Sequence, residues 1–218
     1  NIVTKKNKRP GTSGSVTASA GYGKNGKASA DIDLNHNSGK ASLHASYSYA
    51  YDHYSSLLLA QGTENNPIIG GFDYFHYNGE GNTISTFQGF SGGVAYHANA
   101  VTTIGGNIYY GISSDQRNSH NFGNYALPDS NLVFDSQLAG SGYTHYLHPG
   151  LYLERTITKD QKCTVDLDYF RHHSNSPTQV QSNFSDSLFS PRQRNLANAN
   201  INVFVAKMDY NNSFNKRL

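Results

Sequence analysis

The sequence predicts an all-β protein, an antiparallel transmembrane β-barrel with about eight strands present. Three observations predict it. Apolar and polar residues alternate with a period of two along most of the chain. Links between the alternating segments are short at one end and long at the other. The composition, with 16 Tyr, 11 Phe, 21 Gly and no Trp, favours strands and turns and leaves few aliphatics for a dry core.

The elements follow in order. Residues 14 to 22 place Val16, Ala18, Ala20 and Tyr22 on one face and Ser15, Thr17, Ser19 and Gly21 on the other. Gly23-Lys24-Asn25-Gly26 is a turn signal. Residues 27 to 36 oppose Ala28, Ala30, Ile32 and Leu34 to Lys27, Ser29, Asp31, Asp33 and Asn35. After a turn at Asn37-Ser38-Gly39, residues 40 to 52 oppose Ala41, Leu43, Ala45, Tyr47, Tyr49 and Tyr51 to Ser42, His44, Ser46, Ser48 and Asp52. Further strands are predicted over 84–98, 102–113, 136–157, 162–172 and 200–214. Leu34, Leu43, Ile108, Val165 and Leu167 fall on the predicted lipid face. Each segment is close to the ~9–11 residues that cross a bilayer as a tilted strand.

Short links are expected near 37–39, 99–101 and 158–161, and long loops over 55–82, 114–135 and 173–199. Outer-membrane barrels sort their links this way, with the long ones outside the cell. Tyr22, Tyr47, Tyr49, Tyr51, Tyr110 and Tyr169 then lie at the outer ends of strands, and Tyr96, Tyr210 and Phe214 at the inner ends. Amphipathic rings belong at those two heights.

Other classes are excluded. The longest apolar runs, such as Leu57-Leu58-Leu59-Ala60, are far short of the ~20 residues of a spanning helix. A single Cys163 excludes a disulfide scaffold. A net charge of +2 without a basic stripe gives no support to nucleic-acid binding. No apolar leader follows Asn1, and the chain stops at Leu218, so a piece of a longer polypeptide is expected.

Several stretches resemble a known family. Residues 1–6, NIVTKK, resemble the end of the plug domain in TonB-dependent outer-membrane transporters. Residues 11–53 resemble the first three barrel strands of the Bacteroidota outer-membrane barrel family within that superfamily. CTVDLDYFRH at 163–172 and INVFVAKMDYNNSF at 201–214 resemble two further strand motifs of that family, with Asn212-Ser213 where it often has a proline. The resemblance implies residues 1–10 as the end of the plug domain or a linker, and 11–218 as the N-terminal portion of a barrel of about 22 strands. It implies energised uptake of a nutrient too large for porins, in the outer membrane of a Gram-negative bacterium. Implied partners are outer-membrane lipid, TonB, and the remaining strands and plug of the same protein or partner chains. A scaffold or binding subunit of a larger outer-membrane complex, or a self-closed eight-stranded barrel, are the alternatives. Small inward residues argue against self-closure, because a narrow lumen must be filled by side chains.

No catalytic chemistry, metal site or cofactor is predicted. The ten histidines show no ligand spacing: His172-His173 and the pair His145 and His148 each face oppositely on a strand. Asp31, Asp33, Asp166, Asp168, Lys207 and Asp209 are expected to face the lumen and a plug. Phe72, Tyr74, Phe75 and Tyr77 form an aromatic cluster in the first long loop and are candidates for contacting a ligand or partner. Asp186-Ser187-Leu188 resembles the Bacteroidota O-glycosylation sequon.

Overall fold

The computed structural model describes residues 10–66, 71–185 and 190–212. Every regular element among them is a strand. β1 (Gly11–Tyr22), β2 (Gly26–Asn37), β3 (Ala41–Asn66), β4 (Gly71–Asn99), β5 (Thr102–Ala126), β6 (Asn131–Thr158), β7 (Gln161–Asn175), β8 (Thr178–Phe184), β9 (Arg192–Asn195) and β10 (Asn198–Asn212) form one sheet. Its order is β1-β2-β3-β4-β5-β6-β7-β10, and every pairing is antiparallel. β8 and β9 continue the tracks of β7 and β10. β6 carries its register from Tyr143↔Asn175 to Gly140↔Thr178 without a shift. Across the Ser176-Pro177 break, where proline offers no N–H, Ser176 N–H donates to Ala197 O at 2.8 Å. The sheet thus has eight tracks, as the alternation predicts.

Turn chemistry fixes the short links. Asn37 Oδ1 accepts the Gly39 N–H at 2.9 Å, and Gly39 has φ 86°, a left-handed conformation that a side chain resists. Asn99 Oδ1 accepts the Val101 N–H at 3.0 Å beside a register shift at His97/Asn99.

The long links differ from expectation. Residues 55–82 and 114–135 are mostly strand: β3 and β4 stay paired to Asn66↔Gly71, and β5 and β6 to Ala126↔Asn131. Much of 173–199 is the β7–β8 and β9–β10 arm. The aromatic cluster at 72–77 therefore lies on β4, not on a loop. Asp186-Ser187-Leu188, Phe214 and the NIVTKK stretch lie outside the described residues. The 29 residues of β4 make a strand about 95 Å long, against an apolar band of about 25 Å in membrane barrels. Long paired arms project past any such band.

The sheet is a single layer. No hydrophobic residue is buried among the described residues, and Asp73 is the one polar residue that is. β1 pairs with β2 alone and β10 with β7 alone, so no ladder joins the edges near Val16 and Ala206.

Candidate functional site

The sheet has two faces, and the register keeps each continuous. One row of directly paired residues runs Leu43, Val94, Gly106, Leu151, Leu167, Ala206. The row two residues higher on β3 includes Ala45, Gly92, Ile108 and Pro149, and the next runs Tyr47, Phe90, Tyr110, Leu147, Arg171, Asn202. Leu34 and Val165 share this face with the predicted set. Leu151 is 64% exposed and Met208 69% exposed, although both sit among other apolar side chains. In water such a face is a large unpaired apolar surface. A groove of about 690 Å³ crosses it, lined by Leu43, Gly92, Gly106, Pro149, Leu167 and Phe204 among others.

The opposite face holds all six residues predicted to face a lumen. Asp31 stands opposite Ser48 and Asp33 opposite Ser46, and Ser15 Oγ donates to Asp33 at 3.4 Å. Asp166 stands between Tyr152 and Lys207. Asp168 stands opposite Gly150, with His148 Nε2 at 3.5 Å. Lys207 Nζ lies 2.5 Å from Asp209 Oδ2. Glu154 and Lys162, paired at 2.8 Å, add to the same face. The aspartates of β2 are strands away from those of β7, so the fold gathers no single carboxylate site. No group of three metal-ligating side chains is present among the described residues.

Two groups on this face escape a reading by composition. Aromatic residues share it: Phe87, Tyr109, Tyr146, Tyr152 and Phe170. They lie over glycines. A Cβ at Gly105 would overlap the Tyr152 ring, and one at Gly89 would sit 3.0 Å from the Phe87 ring. β10 also turns Ile201, Val203 and Val205 to this side. The inward face is thus less uniformly small and polar than the Ser, Thr, Gly and Asn content suggests. The signal is in the pattern: in Leu151-Tyr152-Leu153 the tyrosine has to face away from both leucines.

The expected aromatic cluster is split. Phe72 and Tyr74 lie on the face continuous with Leu43, whereas Phe75 and Tyr77 lie on the other. Phe75 and Tyr77 join residues of distant sequence. Ring centroids are 6.4 Å apart for Phe75–Tyr125, 6.3 Å for Tyr77–Phe134, 5.6 Å for Tyr125–Phe134 and 6.4 Å for Phe134–Phe184. Gly62 and Gly123 lie beneath them; a Cβ at Gly123 would overlap Tyr77. The result is an aromatic plate on the arms, on the same face as the aspartates but far along the strands. It can stack planar or apolar groups, with Asp73 at its margin.

No family model and no curated protein matches the chain in sequence. Among solved structures it is similar to a major outer membrane protein from Thermus thermophilus, with 13% identity over 91% of this chain and 100% of that one, at a TM-score of 0.24. It is similar to the ferric yersiniabactin uptake receptor FyuA from Yersinia pestis, with 10% identity over 91% of this chain and 39% of that one, at a TM-score of 0.27. It is also similar to CarO from Acinetobacter baumannii, with 8% identity over 94% of this chain and 98% of that one, at a TM-score of 0.23. An outer membrane protein and an uptake receptor are thus among these neighbours.

Proposed function

We propose that the chain is part of the wall of an outer-membrane β-barrel, and that the whole protein is a TonB-dependent transporter importing a nutrient too large for porins. One observation carries the wall assignment. A single-layer sheet presents a continuous apolar face and buries no hydrophobic residue among those described. A soluble sheet would have to cover that face with a second layer. In a bilayer the lipid covers it, and long antiparallel ladders pair each interior strand on both sides, as a membrane strand requires. The acidic face turns to the lumen, where Asp31, Asp33, Asp166, Asp168, Lys207 and Asp209 meet water or a plug. The long arms stand outside the cell, and their aromatic plate, Phe75 and Tyr77 included, contacts incoming ligand. The free edges of β1 and β10 are completed by further strands, because an unpaired edge cannot persist in hydrocarbon. The role is transport, with no catalysis.

Outer-membrane fractionation and heat-modifiable migration of the full-length product test the wall assignment, and recovery as a soluble protein would overturn it. Energised import has its own test, the in-cell crosslinking of the full-length product to TonB. An inserted protein that gives no crosslink would keep the wall and reject the transporter.

A further inference from the structure

Above the apolar groove the same face changes character. Tyr110, His145, Leu147, Arg171 and His173 of this face, with Tyr146 in the chain between His145 and Leu147, line a pocket of about 240 Å³. His145 and His173 are direct cross-strand partners, and Arg171 stands opposite Leu147 and Asn202. Tyr110 Oη lies 3.3 Å from His145 Nδ1, and Tyr143 Oη lies 3.4 Å from His173 Nε2. His173 Nδ1 is buried without a partner. Arg171 is exposed and has no ion pair among the described residues.

The charges of the two faces are unequal. From the level of Tyr143 down to the short turns, the paired residues of the apolar face include no Asp or Glu. Asp31, Asp33, Glu154, Asp166, Asp168 and Asp209 of the same segments all lie on the other face. The pocket therefore gathers a guanidinium, two imidazoles and a phenol where nothing anionic competes. It also adjoins the groove: Ile108, Pro149 and Tyr169, which line the groove, each precede or follow by two residues Tyr110, Leu147 and Arg171, which line the pocket.

We propose that this face binds one phosphorylated lipid of the outer leaflet, with its phosphate against Arg171, His173, His145 and Tyr110 and its acyl chains in the groove below. Guanidinium forks and N–H donors match phosphate oxygens, and charge-assisted hydrogen bonds are the strong ones. The height fits, since Tyr110, Tyr143 and Tyr169 mark the level at which rings meet headgroups. The inference rests on the proposal that this face meets lipid.

The test is native mass spectrometry of the full-length protein in detergent, with diphosphoryl lipid A as the probe and heat-modifiable migration of each sample as the check on insertion. The wild type should bind the probe. A dephosphorylated lipid A with the same acyl chains should bind about tenfold less, and so should the probe to the inserted R171A/H173A variant. R171K should recover part of the loss, and R155A, at the other end of the same face, should bind like the wild type. Undiminished binding by an inserted R171A/H173A variant would overturn the site while leaving the wall assignment standing. Equal occupancy by inorganic phosphate, displacing the lipid, would overturn the lipid assignment. A wild-type chain that never enters the membrane would overturn the wall assignment and this site with it.

Discussion

β6 is apolar on opposite faces in its two halves. Near the short turns its apolar residues are Leu147, Leu151 and Leu153, on the face shared with Leu43 and Leu167. In the arm Leu132, Phe134 and Leu138 lie on the face shared with Asp166, against Val133 on the other. β4 does so only in part: Phe90, Val94 and Tyr96 lie on one face, and in the arm Phe75 and Tyr77 lie on the other while Phe72, Tyr74 and Ile84 keep to the first. No register shift separates the halves. The switch is in the sequence and not in the pairing. It teaches that the surroundings of a face change along one strand. Lipid selects apolar side chains on the outward face of the band. On the proposed wall, that face meets water beyond the band, where Leu57, Leu59, Phe72 and Tyr74 still stand on it, and the aromatic plate gathers on the inner side of the arms, where its rings pack on one another.

The largest expected effect breaks the first half of this contrast. Leu167→Arg in full-length protein should destabilise the inserted state by ~2–4 kcal/mol in urea unfolding from lipid vesicles, and Asp166→Arg should cost far less. Equal costs would remove the distinction between the faces.

The second half is tested by Phe134→Ala. It removes ring contacts to Tyr77, Tyr125 and Phe184, and should loosen the arm by ~1–2 kcal/mol, read as faster proteolysis near residues 127–130 with insertion unchanged. A cut pattern identical to wild type would mean the plate does not hold the arm. On the arm's other face, His120 and Asp135 pair at 2.8 Å with both side chains about half exposed. His120→Ala should change stability by less than ~1 kcal/mol.

The boundary itself can be sharpened with single cysteines on one face of β6. A membrane-impermeant maleimide on intact cells should label Gln137→Cys and spare Leu151→Cys. Labelling of Ser119→Cys and Ser176→Cys, with Ser38→Cys and Asp160→Cys protected, would fix the arms outside the cell; the opposite pattern would invert the orientation.

The sequence and the structure agree where one solvent governs a whole strand. Residues 27 to 36 and 40 to 52 alternate in a single phase, and both strands are legible within a residue of where they start. The arms are not legible because the phase reverses. Read along Ser114 to Asp135, the reversal looks like loss of pattern, and loss of pattern looks like a loop. The same reversal hides the plate. Phe72-Asp73-Tyr74-Phe75-His76-Tyr77 reads as one cluster, but a strand divides it, and Tyr125, Phe134 and Phe184 reach Phe75 and Tyr77 only through pairing. Within each of the pairs 31/33, 166/168 and 207/209 the two charged residues share a face because they sit two apart, which is visible in the chain; the register then brings the three pairs to one face. The meeting of Arg171 and His173 with Tyr110 and His145 is not visible there, since a two-residue period says nothing of what lies across the sheet.

On the proposed wall, one face of the band meets lipid, and along β6 the apolar side reverses beyond it. Nitroxide scanning of β6 from residue 132 to 157, in full-length protein in outer-membrane vesicles, reads both features in one strand. Oxygen accessibility should peak at 147, 151 and 153 and fall at 148, 150 and 152, and the oxygen preference should vanish above Tyr143. Labels at Leu147, Leu151 and Leu153 that are immobile and closed to both oxygen and a water-soluble relaxant would place that face in a dry protein core and rule out a lipid-facing wall.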